Sequence, residues 1–224
     1  MTEYAKAGSQ RWLQIAVNEQ PTSISRSLNL GSGKNSINWA SPSAASAFRE
    51  LRDGAALRAL GIGQLPNRTL SDFWPTRGPV WDGLARTTTG EVLLVEAKAH
   101  IPELASGETQ ASPASRVKIE RSLKEVQKAI ASRSQADWTR TFYQYTNRLA
   151  FLYLLRVLNG IPAHLVNVYF TNADDVNGPS SRAEWEGALA LMHTLLGTSN
   201  HALKPFVHDV FIDVKKLVRV KSGV

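Results

Sequence analysis

The sequence predicts an α/β domain, bordering on α+β, in which helices flank a small mixed β-sheet. Three observations carry this. Val92-Leu-Leu-Val95 is an apolar run entered from the turn Thr87-Thr-Thr-Gly90, which reads as a strand leaving a hairpin. A second apolar run, Val166-Asn-Val-Tyr-Phe170, comes after two helical stretches and reads as a buried strand. A third strand, residues 206–214, follows another helical stretch at residues 182–196.

The elements follow in chain order. Residues 10–18 form a short amphipathic helix, and residues 20–39, rich in Ser, Asn and Gly, read as loop. Ser41-Pro42 offers a cap and a first-turn proline, so a helix is expected from there to about Leu60, ended by Gly61-Ile-Gly63. Residues 67–78, with Phe73 and Trp74, wrap the core ahead of the hairpin. Residues 101–114 are a Pro/Ser/Gly loop, and residues 116–132 and 137–158 are two helices. Asn159-Gly-Ile-Pro162 stops the second. The 224 residues, 43% hydrophobic and 20% charged, suit one domain with a sizeable core and are short for two. Within it, residues 1–40 supply an N-terminal helix and loop, 41–171 the core, and 172–224 a C-terminal helix and strand.

The chemistry concentrates in Pro79-Val-Trp-Asp82 and Glu96-Ala-Lys98. A hairpin centred on Thr89, with Gly90 left-handed, sets Asp82 opposite Glu96. Opposed residues share a face, about 4.5–5.5 Å apart at Cβ. The two-residue period brings Lys98 to that face, beside Val80, Leu84, Val92 and Leu94. Two carboxylates so close repel unless a cation lies between them, and hard oxygens suit magnesium. The Ala97 carbonyl offers a third oxygen. The plainer alternative is a polar strand end with a Glu–Lys surface pair of little energetic consequence. A second acid-x-lysine, Asp213-Val-Lys215, has Asp209 four residues before it but no opposed acid on a hairpin strand, and reads as an ordinary strand end.

These residues resemble the PD-(D/E)xK nuclease superfamily, of restriction-endonuclease-like fold, over about residues 43–171. The resemblance implies that Asp82 and Glu96 bind magnesium or manganese and that Lys98 positions or activates the attacking water. It also implies an acid from a preceding helix near the metal: Glu50 in Phe48-Arg-Glu-Leu-Arg52 is the candidate and Asp53 the rival. Trp81 stands where the family has proline, with Pro79 nearby, and no first core strand is evident between residues 61 and 77. The helix after the acid-x-lysine strand often sends polar groups to such a site. Here Gln144, Asn147 and Arg148 share a face at i, i+3 and i+4, with Arg148 available for a phosphate and Gln144 for a metal-bound water. A solvated helix face is the other reading. DNA rather than RNA is implied by family habit alone.

Charge adds an independent argument. The net charge is +7, and residues 115–156 carry nine Lys/Arg against three acids while residues 1–114 are nearly balanced. A localised basic excess suits a polyanion, with Arg116, Lys118, Arg121 and Lys124 on the first basic helix. A non-catalytic nucleic-acid-binding or accessory protein of the same fold is the alternative, and a homodimer is left open. The chain has no cysteine, so thiolate metal sites are excluded. The five histidines lack zinc-ligand spacing, and His100, near the candidate site, reads as a loop residue. Gly31-Ser-Gly33-Lys34 lacks the first glycine and the final Ser/Thr of a phosphate loop. No signal-peptide or membrane-length apolar run is evident, so a cytoplasmic location is expected.

Overall fold

A computed structural model of the chain describes residues 3–28 and 36–218. One mixed five-stranded sheet carries the architecture, in the order β1-β2-β3-β4-β5. β1 (Ile37–Ser41) and β2 (Gly83–Thr87) pair antiparallel, β2 pairs antiparallel with β3 (Val92–Lys98), and β3, β4 (Ala163–Thr171) and β5 (Val207–Asp213) run parallel. Every residue of β3 and β4 is buried, which explains why both read as nearly unbroken apolar runs: each is covered on both faces.

Helices cover the two faces unequally. On one lie α1 (Gly8–Glu19), α2 (Thr22–Ser25) and α8 (Val214–Val218), whose Trp12, Leu13, Ile24 and Leu217 pack on Ala85, Leu93, Val95 and Val168. On the other lie α3 (Asp53–Ala59), α4 (Leu70–Phe73), α5 (Pro113–Ile130), α6 (Tyr143–Tyr153) and α7 (Arg182–Leu196), packed on Leu84, Val92, Leu94 and Leu165. The alternation of residues 92–95 between the two cores is the two-residue period of a strand. The crossovers from β3 to β4 and from β4 to β5 step the same way across the sheet. A shared right-handed sense therefore places α5, α6 and α7 on one side. Among the described residues no helix is long and apolar enough to cross a membrane.

Three expectations fail, each for a local physical reason. The helix expected over residues 41–60 is replaced by the end of β1, a cis Ser41–Pro42 bond, a 3-10 turn at Ala44–Ser46 and only then α3. Ala47 and Phe48 are left-handed, at φ 53° and 55°, and a right-handed helix cannot pass through them. The sheet's first strand, sought between residues 61 and 77, is β1, in a segment read as loop. It is an edge strand with only one fully buried residue, so its composition lacks an apolar run. The helix expected from residue 137 begins at Tyr143, after left-handed Phe142 (φ 63°), and its last turn, Leu154–Leu158, is a π turn. The phosphate-loop-like Gly31–Lys34 lies outside the described residues.

At the end of the sheet opposite the Lys98 end of β3, His164 shares hydrogen bonds with His208 (2.9 Å) and Glu91 (3.3 Å). Burial, reinforced by His164, pushes His208 down to about 4, and burial, reinforced by His193 and Lys204, does the same to His201. Unfolded histidines titrate near 6.5. Between about pH 6.5 and 4 the unfolded chain therefore binds protons the folded chain refuses, and stability falls on acidification across that window. Urea midpoints measured from pH 7.5 to 4 should drop accordingly, and His208→Gln should remove about one proton from the uptake. A flat profile over this range would contradict the assignment.

Candidate active site

The β2–β3 hairpin sets the site. Gly83 pairs with Val95 and Leu84 with Leu94, so the register continued by one residue sets Asp82 opposite Glu96, as the sequence predicts. Gly90, at φ 91°, takes the turn position only glycine occupies freely. Gly83 is needed for space: a Cβ there would lie 3.1 Å from both the Trp39 ring and the Val95 Cβ.

At the strand end the charges interlock. Asp82 Oδ2 accepts the Ala97 N–H at 2.8 Å. Since a strand residue's N–H and C=O point to the same side, the Ala97 carbonyl also faces the Asp82 side. Glu96, only 5% exposed, is engaged at both oxygens. Lys98 Nζ lies 2.5 Å from Oε1, and Arg148 Nε lies 2.7 Å from Oε2. Lys98 donates a second bond to Gln144 Oε1 at 2.9 Å. Arg148 donates further to Asn147 Oδ1 and the Val80 carbonyl, both at 2.8 Å, and lies 4.8 Å over the Trp81 ring. Trp81, where the resembled family has proline, thus floors the guanidinium.

The start of α6 is fixed from outside the helix. Ser106 accepts the Phe142 N–H at its carbonyl (3.0 Å) and the Gln144 N–H at its Oγ (2.9 Å). Thr146 Oγ1 donates to the Trp138 carbonyl at 2.7 Å. The left-handed, buried Phe142 costs on the order of 1–3 kcal/mol, held against relaxation by these contacts. That strained turn aims Gln144, Asn147 and Arg148 at the sheet.

Electrostatics separates the two acids. Burial, followed by the charge of Glu96, pushes Asp82 up to about 7, although the residue retains partial solvent exposure. Burial also acts to raise Glu96, but the adjoining Arg148 and Lys98 outweigh it and hold that carboxylate below the ordinary range. Glu96 is therefore the fixed charge and Asp82 the acid that titrates near neutrality.

Of the residues singled out by sequence, Asp82, Glu96, Ala97, Lys98, Gln144, Asn147 and Arg148 come together. Glu50 does not join them. It lies on an irregular segment, exposed, its Oε1 accepting from Gln10 at 2.9 Å. Its rival Asp53 is occupied in accepting the Arg77 and Gly78 N–H groups at 3.0 and 2.9 Å. His100 contacts Glu103 at 2.6 Å. Along α5, Arg116 pairs with Glu108 and Glu120, while Lys118 and Arg121 donate to the Ser71 and Asp72 carbonyls at the C-terminus of α4. Lys124 is exposed beside a separate groove. Asp213 accepts from Asn172 at 2.9 Å, a structural role at the end of β5.

Sequence reasoning missed Asn167 and the Tyr145 hydroxyl. Asn167 pairs in register with Glu96 and donates to Asp209 at 2.9 Å, extending a polar row across the sheet. Its polarity in the middle of an apolar strand was the available signal. Asn167 and Tyr145 line a cavity of about 20 Å³ with Glu96 and Lys98, and the buried Tyr145 hydroxyl has no hydrogen-bond partner among the described residues. A cavity of this size has room for about one water, beside the few polar groups that line it.

Asp82 and Glu96 are the carboxylates that could hold a hard cation such as magnesium, which usually takes one or two carboxylates and keeps several waters. Asp82 Oδ1 accepts no hydrogen bond among the described residues, and the charge of Glu96 already resists the ionisation of Asp82. No cluster of three or more His, Cys, Asp or Glu residues suited to a metal occurs among the described residues. No protein-family model, curated protein or solved structure matches the chain.

A raised carboxyl stabilises the fold below its unfolded value and loses that contribution as pH rises through its folded one. Asp82→Asn should therefore stabilise the metal-free protein at pH 8, by on the order of 1 kcal/mol after discounting for partial exposure. Urea denaturation in chelator checks this; destabilisation at pH 8 would show instead that the ionised Asp82 stabilises the fold.

Proposed function

We propose that this chain is a magnesium- or manganese-dependent nuclease hydrolysing phosphodiester bonds, in DNA by preference, on a restriction-endonuclease-like core. The observation that supports it most is the convergence of Asp82, Glu96 and Lys98 on one face at the end of β3, with Lys98 Nζ 2.5 Å from the Glu96 carboxylate. The C-terminal ends of parallel strands are where open α/β sheets bind ligands.

Asp82 and Glu96 would hold the metal, with the Ala97 carbonyl as a further oxygen. A bound metal would polarise the phosphate and acidify a coordinated water. Lys98, fixed between Glu96 and Gln144, would orient the attacking water and offset charge developing on the phosphate oxygens. Asp82 must be ionised to act as a ligand, so function should weaken as pH falls below about 7. Lys124 and Lys128, exposed and without an ion-pair partner among the described residues, are available to phosphates along the substrate.

One observation favours a second reading, a nucleic-acid-binding protein that does not cut: both Glu96 oxygens already face protein cations. Cleavage of supercoiled plasmid and single-stranded DNA with magnesium or manganese separates the two. The wild type should cut, and Lys98→Met, folded and still binding DNA, should lose on the order of a hundredfold or more in rate. DNA binding without cutting by either protein would transfer the assignment to the binding reading.

A further inference from the structure

We propose that His100, oriented by Glu103, is the group that takes the proton from the attacking water. The inference rests on the nuclease reading and fills a role which that reading leaves open.

The need for such a group follows from the charges already placed. Both Glu96 oxygens accept from cations, Lys98 at Oε1 and Arg148 at Oε2. Lys98 is bonded to Glu96 and Gln144, and an ammonium has donors only. Asp82 Oδ2 accepts the Ala97 N–H, and Oδ1 is the oxygen that the nuclease reading gives to the cation. Water attacking a phosphate must still lose a proton, and a positioned base speeds such a transfer by about 10²–10⁴-fold.

Backbone geometry carries His100 to the right face. Leu93, Val95, Ala97 and Ala99 all enter the core beneath α1, so the two-residue alternation of β3 runs on past Lys98. His100 is extended, at φ −146° and ψ 151°. It therefore lies on the face of Glu96 and Lys98, about 7 Å beyond Lys98 along the strand. The chain then turns back to the site. Leu104, at the end of the 3-10 turn Ile101–Leu104, lines the same cavity as Glu96, Lys98 and Gln144. The His100 side chain is 34% exposed where that of Lys98 is 11%, so it stands at the open side of the cluster, within reach of substrate.

Glu103 sets the ring. His100 Nδ1 lies 2.6 Å from Glu103 Oε1, and the Glu103 N–H donates to the His100 carbonyl at 3.1 Å. A carboxylate only accepts, so Nδ1 carries the proton and Nε2 of the neutral ring keeps its lone pair. As the water oxygen bonds to phosphorus, one water proton passes to Nε2 and the bond from phosphorus to the leaving oxygen breaks. The leaving oxygen takes a proton from solvent, and His100 returns its own to solvent. Lys98 orients the water, Glu103 is a positioning residue, and His100 is the further catalytic residue. A partly exposed His–Glu pair contributes little to stability, so replacing it leaves the fold intact.

Chemical rescue tests the role. With supercoiled plasmid and magnesium, His100→Ala should bind DNA as wild type does and cut about 100-fold more slowly. Added imidazole should raise the His100→Ala rate at least about tenfold and leave wild type and Lys98→Met unchanged. Long-range ¹H–¹⁵N spectra of the metal-free protein at pH 8, with His100 assigned by its absence from His100→Ala, give a second readout. They should show the proton on Nδ1 and a bare Nε2, a preference that Glu103→Ala removes. Equal cutting by His100→Ala and wild type, a loss that imidazole does not restore, or a proton found on Nε2 would each overturn the role and leave the nuclease reading standing. If wild type does not cut, that reading falls and the role of His100 with it.

Discussion

The molecule is organised around two carboxylates that cannot both be charged without help. Asp82 and Glu96 are opposed at the end of the central hairpin, and Glu96 is almost entirely removed from water. An isolated buried carboxylate costs several kcal/mol even after relaxation, so each element around the pair supplies compensation. β3 returns Lys98 to the same face two residues on, α6 brings Arg148 to the second Glu96 oxygen, and the strand backbone donates to Asp82. What remains unbalanced is the titration of Asp82 near neutrality, where a hard cation has most to gain.

The fold supplies this arrangement through register and crossover. The antiparallel hairpin decides which acids meet, while the parallel β3–β4 step requires a crossover that passes over the same face. Its second helix, α6, begins at a strained Phe142 held by Ser106, and that start sets the phase of Gln144, Asn147 and Arg148. Natural proteins tolerate local strain where geometry serves a site. The basic face of α5 divides its labour: Lys118, Arg121 and buried Ser122 satisfy the final carbonyls of α4, at Ser71, Asp72 and Phe73. Part of the charge excess that suggested a polyanion partner is therefore architectural.

Legibility in the sequence followed locality. Hairpin register could be read because Thr87–Gly90 specifies a short turn and the period of two propagates from it. The bounds of α7 were visible because Ser181 caps it and Gly197 closes it. Gln144, Asn147 and Arg148 were found from helical spacing together with the resembled family's habit, although their helix begins six residues later than expected. β1 escaped because an edge strand buries too little to show an apolar run. The expected 41–60 helix misled because its start signal is local, whereas the left-handed Ala47 and Phe48 that break the segment carry no sequence mark. Glu50 was assigned from that missing helix, and Asn167 was passed over because its role depends on a partner 71 positions earlier in the chain, Glu96.

The central claim is that Asp82 and Glu96 form one metal site. Anomalous diffraction from crystals equilibrated with manganese at pH 8 tests it most directly. The expected result is a peak within bonding distance of Asp82 Oδ1 and a Glu96 oxygen. An absent peak, or one elsewhere with the Glu96–Arg148 pair intact, would show that these charges hold the fold together and bind no metal.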